Sequence, residues 1–126
     1  MAKILIIEDS VSVRVSLKNM LIPLGHVVVE AESGEQGLDR LAESSDFDVI
    51  LCDINMPDMD GMEFVTHQTN HEEYSKIPTI MCTTESHPSV ANSAKKLEVI
   101  KAWITKPVRA DVLQTFIDRL MKKKGK

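Results

Sequence analysis

The segment Val49-Ile50-Leu51-Cys52 is apolar at every position and stops at Asp53, where the turn-rich stretch Asp53-Ile54-Asn55-Met56-Pro57-Asp58-Met59-Asp60-Gly61 begins. A strand with one wet face alternates apolar and polar residues. A run without alternation, closed by a Pro/Gly/Asp cluster, reads as a strand covered on both faces that runs out into a loop. Lys3-Ile4-Leu5-Ile6-Ile7 has the same character and stops at Glu8-Asp9-Ser10. Strands of this kind need helices on both sides of their sheet, which is the parallel α/β arrangement.

The rest of the chain supplies the alternation. Further strands are expected over residues 26–30, 48–52, 78–82 and 102–104. Val13, Leu17, Met20, Leu21 and Leu24 recur at helical spacing, with Ser10 placed to cap the start, Pro23 to bend the last turn and Gly25 to end it. Ser33-Gly34-Glu35-Gln36 matches a capping box, and Leu38, Leu41 and Ala42 give the next helix its apolar stripe. Gly61 opens a third helix through Phe64 and Val65. Ser86-His87-Pro88 opens a fourth with Val90, Ala94 and Leu97, and a last helix turns Leu113, Ile117 and Leu120 inward. Five strand–helix alternations predict a doubly wound five-stranded parallel sheet. One domain over residues 1–121 is expected, followed by a basic tail, residues 122–126, read as frayed and solvated.

Composition narrows the function. A net charge of −4 argues against nucleic-acid binding, which needs a basic face. No apolar run approaches the ~20 residues of a membrane span, so no membrane insertion is expected. The start of the chain leaves no room for a secretory signal, and Cys52 and Cys82 both sit in apolar runs, as reduced buried thiols do. A cytoplasmic protein is expected. His67 and His71 share a helix face but have no further ligand in view, so they read as a surface pair. Met56 and Met59 flank Asp53 and are placed to cover it.

In a parallel sheet all carboxyl ends of strands share one edge, the edge where ligands bind in open α/β sheets. That edge collects Glu8 and Asp9 after the first strand, Asp53 after the third, Thr83 after the fourth and Lys106 after the fifth. Three carboxylates so close repel unless a cation intervenes, and a hard divalent ion such as Mg²⁺ suits oxygen ligands. The Lys106 ammonium and the Thr83 hydroxyl can bind the oxygens of a phosphoryl group, with Asp53 as the attacking carboxylate.

These residues, with the Asp53-x-Asn55-Met56-Pro57-x-Met59-Asp60-Gly61 stretch and Lys106-Pro107, resemble the receiver domain of two-component response regulators over the whole chain. The resemblance implies a flavodoxin-like sheet of order 2-1-3-4-5. It implies phosphorylation of Asp53 by a sensor histidine kinase, with Mg²⁺ (or Mn²⁺ in its place) on the carboxylates of Asp9 and Asp53 and the backbone carbonyl of Asn55, and Glu8 acting mainly through water. Lys106 would pair with a phosphoryl oxygen, Thr83 would move to bond another, and the Lys106–Pro107 bond would be cis. Trp103 stands at the aromatic switch position, where relatives more often carry tyrosine or phenylalanine. Its turning would alter the face made by the fourth helix, fifth strand and last helix.

Departures from the family pattern are Thr84, where a smaller residue is usual and whose bulk implies narrower access, and Val99, in place of a frequent glycine. Asn55 and Glu85, each two residues beyond a site residue, match chemotaxis-type regulators. With no output domain in view, a monomeric stand-alone regulator is expected, not an enzyme beyond slow autodephosphorylation. Its partners would be a histidine kinase and a downstream protein, a flagellar switch component in chemotaxis. The alternatives are a phosphorelay shuttle serving a histidine phosphotransfer domain, and an aspartyl-phosphate phosphatase. The latter lacks a second aspartate at Asn55.

Overall fold

Five strands, β1 (Lys3–Ile7), β2 (Val27–Ala31), β3 (Val49–Asp53), β4 (Thr79–Thr83) and β5 (Ile100–Thr105), form one sheet of order β2-β1-β3-β4-β5, every pair parallel. This computed structural model describes residues 2–56, 59–83 and 98–124. The expected helix beginning at Ser86, and with it Thr84 and Glu85, lies outside the described residues. The helices described are α1 (Val11–Leu21), α2 (Gly34–Glu43), α3 (Gly61–Thr69) and α4 (Ala110–Lys124). None is long and apolar enough to cross a membrane.

The unalternating runs have the predicted consequence. Leu5 and Ile7 of β1 and Ile50 and Cys52 of β3 face α2 and α3, where Leu41, Phe64 and Val65 meet them. Ile4 and Ile6, with Val49 and Leu51, face the other way, into Leu17 and Leu21 of α1 and Leu113 and Ile117 of α4. Side chains of successive strand residues point to opposite faces, so both faces of the central strands are sealed. Edge strand β2 is half-exposed along most of its length.

The first strand ends at Ile7 as expected, and the other four end later than the apolar pattern predicts. Asp53 and Thr83 close β3 and β4 as ladder residues and do not follow them, because backbone pairing continues as long as amide and carbonyl groups find partners, whatever the side chain. The backbone N–H of Ile54 still bonds the carbonyl of Cys82 at 3.1 Å. At the other end, α1 tightens into a 3-10 turn over Ile22–Leu24, with Pro23 inside it, and Gly25 takes a φ of 91° to reverse the chain. The capping box at Ser33 forms by half: Ser33 accepts from the N–H of Gln36 at 3.1 Å, but the Gln36 amide reaches one residue further back, to the N–H of Glu32. Helix α4 continues to Lys124, so the first lysines of the closing run are helical. Val99 is buried among the residues facing α2 and α3, and its carbonyl takes the N–H of Thr79 at 2.8 Å.

Candidate functional site

The sheet topology brings the carboxyl ends of β1, β3 and β5 together and gathers Glu8, Asp9, Asp53 and Lys106. The ammonium of Lys106 lies 2.5 Å from Oε1 of Glu8 and 3.1 Å from Oδ1 of Asp53. Glu8 and Asp53 are nearly enclosed, 2% and 4% exposed, whereas Asp9 is open to solvent. Burial works against the charge on Lys106, but its hydrogen bonds to Glu8 and Asp53 and the charges of both outweigh it, and its pKa is raised. Ligand oxygens of Glu8, Asp9 and Asp53 lie within 4.8 Å of one another. The hydrogen bond of Asp9 with Glu8, then burial, then the charge of Glu8, hold the Asp9 carboxyl above the ordinary carboxylate range.

These facts test the fit of a divalent cation. Three carboxylates and one ammonium leave two negative charges, and two of the carboxylates, Glu8 and Asp53, have little water to screen them. All the donors are hard oxygens, which suits Mg²⁺ and disfavours softer metals. Asp9 is raised first by its hydrogen bond with Glu8 and by burial, and the charge of Glu8 adds a smaller push that a bound cation would relieve. The cation fits.

Each residue is placed by its neighbours. Glu8 is fixed at four atoms. Its N–H bonds the Ala31 carbonyl at 3.0 Å, its carbonyl takes a guanidinium hydrogen of Arg14 at 2.6 Å, Oε2 takes the N–H of Ser10 at 3.1 Å, and Oε1 takes Lys106. Ser10 in turn caps α1. Oδ1 of Asp53 also accepts the backbone N–H of Asn55, at 3.3 Å, and the Asn55 side chain is exposed. Gly61 starts α3 directly against this turn: a Cβ there would sit 2.3 Å from the carbonyl oxygen of Asp53. Only a residue without Cβ allows that approach. Asp60 caps α3 by accepting the N–H of Glu63 at 2.8 Å.

Thr83 is buried at the end of β4, and its carbonyl accepts the N–H of Lys106 at 2.7 Å. The Lys106–Pro107 peptide bond is cis. Trp103 pairs with Met81 across β4 and β5 and is half-buried against the side chains facing α2 and α3. The methionines expected to cover Asp53 do something else. Met56 is buried in the core, and Met59 packs on α2, where an added Cβ at Gly34 would come 2.8 Å from its sulfur. Their apolar chains find more cover in the core than over a charged pocket. His71 lies past the end of α3, stacked on Tyr74 with ring centroids 3.6 Å apart, so the two histidines do not share a helix face. Arg14 leaves little trace in the sequence, because an arginine on an amphipathic helix normally reads as solvated. The one available signal was its place next to Val13, at the edge of the apolar stripe.

A family model described as the response regulator receiver domain matches residues 4–118. A chemotaxis protein CheY homolog of Campylobacter jejuni is 36% identical over 120 residues, spanning 94% of this chain and 92% of that protein. Protein PilH of Pseudomonas aeruginosa is 35% identical over 121 residues, 96% of this chain and 98% of that protein. Among solved structures, chemotaxis protein CheY4 of Vibrio cholerae superposes with a TM-score of 0.88 at 33% identity, covering 95% of this chain and 98% of that one. Sheet order and family match thus agree over nearly the full length, and the chain belongs to the response regulator receiver domain family as a CheY-like member.

Proposed function

We propose that Asp53 accepts a phosphoryl group from a phosphohistidine of a sensor histidine kinase, in a cation-dependent step of a chemotaxis-type pathway. The observation that carries the reading is the Lys106 ammonium 3.1 Å from an Asp53 oxygen within a three-carboxylate cluster. A carboxylate oxygen of Asp53 attacks phosphorus. The O–P bond forms as the N–P bond breaks, and the imidazole leaves with the electron pair. Lys106 is held by Glu8 on one side and is free to exchange its Asp53 contact for a phosphoryl oxygen. Asp9, Asp53 and the Asn55 carbonyl hold Mg²⁺, or Mn²⁺ in its place. Both oxygens of Glu8 already have partners, which suits a water-mediated role for that residue. The bound ion supplies neutralisation of the charge that gathers on the transferring group.

The Thr83 hydroxyl donates to a further phosphoryl oxygen, and Trp103 responds on the same face of the sheet, altering the surface of the segment after β4, β5 and α4. That surface binds the downstream protein, a flagellar switch component in chemotaxis. The receiver unit is taken as residues 1–121, monomeric and cytoplasmic, without nucleic-acid partners. It turns over no substrate beyond slow hydrolysis of its own acyl phosphate.

The test is incubation with acetyl phosphate and MgCl₂. Native protein is expected to gain the mass of one phosphoryl group and to change its Trp103 fluorescence, and Asp53→Asn to do neither. An unmodified native protein overturns the reading.

A further inference from the structure

Arg14 follows Val13 on α1, yet its side chain is only 12% exposed. The guanidinium reaches in two directions: one terminal nitrogen donates to the carbonyl of Glu8 at 2.6 Å, and Nε faces Oε1 of Glu30 on β2 at 3.3 Å. Glu30 is itself anchored. Its other carboxylate oxygen takes the ammonium of Lys18 at 3.1 Å, and its backbone carbonyl takes Nε of Arg40 from α2 at 3.1 Å. Arg14 is therefore a strut between a fixed point on the edge strand and the peptide group that joins Glu8 to Asp9.

That peptide group is planar, so the direction of the Glu8 carbonyl sets the direction in which Asp9 leaves it. The N–H of Glu8 and the N–H of Ser10 are also bonded, to Ala31 and to Glu8 Oε2. Backbone on both sides of Asp9 is thereby held at three atoms, although the Asp9 side chain is open to solvent.

Resting on the proposed function, we infer that Arg14 is a positioning residue for the divalent cation: by clamping the Glu8 carbonyl from β2 it pre-aims the exposed Asp9 carboxylate at the ion. Fixing a ligand through its outer neighbours commonly changes metal affinity 10–100-fold. The fork geometry matters as well, since lysine offers a single ammonium and cannot bridge a carbonyl and a carboxylate with separate nitrogens.

The test is titration of the full chain with MgCl₂, followed by the amide NMR shifts of Ser10 and Asn55, with the maximal rate of acetyl phosphate labelling measured in parallel. Arg14→Lys and Arg14→Met are each expected to weaken Mg²⁺ binding about tenfold. Labelling at saturating MgCl₂ is expected to stay within about twofold of native, which a loss of catalytic groups would not allow. Glu30→Gln, which keeps the Glu8 bond but loosens the anchor, is expected to give a smaller loss in the same direction. Lys18→Met removes one anchor of Glu30 but leaves Arg14 bonded to both Glu30 and Glu8, and is expected to lose no more affinity than Glu30→Gln. If Arg14 acted only through its charge, Arg14→Met would tighten binding and Arg14→Lys would not change it, and either result overturns the inference. Should Arg14→Met fail to fold, Arg14→Lys and Glu30→Gln decide the matter. A native protein whose shifts do not respond to MgCl₂ would overturn the proposed function itself, a result separate from unchanged affinity in the Arg14 variants.

Discussion

The ammonium of Lys106 rests 2.5 Å from Oε1 of Glu8, across 98 residues of chain. Nothing local joins them: the contact exists because the 2-1-3-4-5 order of a parallel sheet puts the ends of β1, β3 and β5 on one edge, with β4 between the last two. Glu8 is 2% exposed, so its charge cannot fall back on water if the ammonium is removed. Breaking a buried pair by removing one partner costs more than the pair contributes. Lys106→Met is therefore expected to lower stability by about 3 kcal/mol in metal-free buffer, the low end of the usual range because water still reaches the lysine. Adding Glu8→Gln removes the stranded charge, so the double variant is expected to lose less than the sum of the singles. Urea unfolding in EDTA measures both, and strict additivity would show that the contact carries no energy.

The Asp9 carboxyl sits above its ordinary range, chiefly through Glu8. An acid whose folded pKa is raised binds its proton more tightly in the folded chain, so its contribution to stability is present at low pH and lost as pH rises through the folded value. Mg²⁺ competes with that proton. The rise in Tm on adding MgCl₂ is thus expected to be larger at about pH 7 than at about pH 4.5, and to shrink progressively as pH falls through the raised Asp9 value. Asp9→Asn is expected to be at least as stable as native in EDTA, and to lose both the MgCl₂ response and its pH dependence. Solvent screens this exposed group, so the sign of the change is the readout. An equal Mg²⁺ response at both pH values would remove Asp9 from the ion's ligands.

A single methyl group at Gly61 tests how tightly the turn is built. Its carbon would lie 2.3 Å from the Asp53 carbonyl oxygen and 2.8 Å from Cα of Ile54, both backbone atoms that cannot rotate away. Gly61→Ala must push α3 off the turn or distort the end of β3. The expected cost is about 3 kcal/mol, the upper end for overpacking. The displaced Asp53 carboxylate should also slow labelling by acetyl phosphate. Circular dichroism melts and the labelling rate check the two effects together, and a variant normal in both would mean that the helix has slack.

How much of this was legible in the sequence follows from what kind of signal each feature leaves. Continuous apolar runs mark central strands, because burial on both faces leaves no polar position to interrupt them: Lys3–Ile7 stands as expected, and the strand expected over 48–52 runs over Val49–Asp53. Asp53, Asp9 and Lys106 are visible because charged residues at or within two positions of the end of an apolar run, gathered on one sheet edge, have few bland explanations. Gln68 left no comparable signal. It falls four residues after Phe64 on the buried side of α3, where a polar residue reads as the end of the apolar stripe. In the fold its amide donates to the carbonyls of Tyr74 and Ile77 and shares a bond with the Thr79 hydroxyl, so a fully buried polar group closes the turn into β4. Arg14 was hidden for the same reason, since its acceptors lie on two other strands' ends and no spacing rule connects them. Met56 and Met59 misled in the opposite direction, as flexible apolar side chains whose nearest neighbours in sequence are not those in space.

The two thiols give a last, independent view of the site. Cys52 faces α2 and α3 with Phe64, whereas Cys82 lies on the other face of the sheet, beside Val13, Leu17 and Lys106. Thiols on opposite faces point away from one another, and a disulfide requires Cβ atoms directed at each other. Both are free, and burial pushes Cys82 up to about 12 and Cys52 well above the ordinary thiol value. Thiolate is therefore scarce while the fold is closed, and a thiol reagent such as DTNB must wait for opening. Neither thiol is expected to react quickly in native buffer, both in urea, and oxidant is expected to form no intramolecular disulfide. Because ligand binding to the closed form depletes open states, MgCl₂ should slow the native reaction further, and Asp53→Asn should blunt that slowing. Fast labelling of Cys82 in native protein would show that the floor of the site opens without unfolding, and equal rates with and without MgCl₂ would separate the cation from the fold that is meant to hold it.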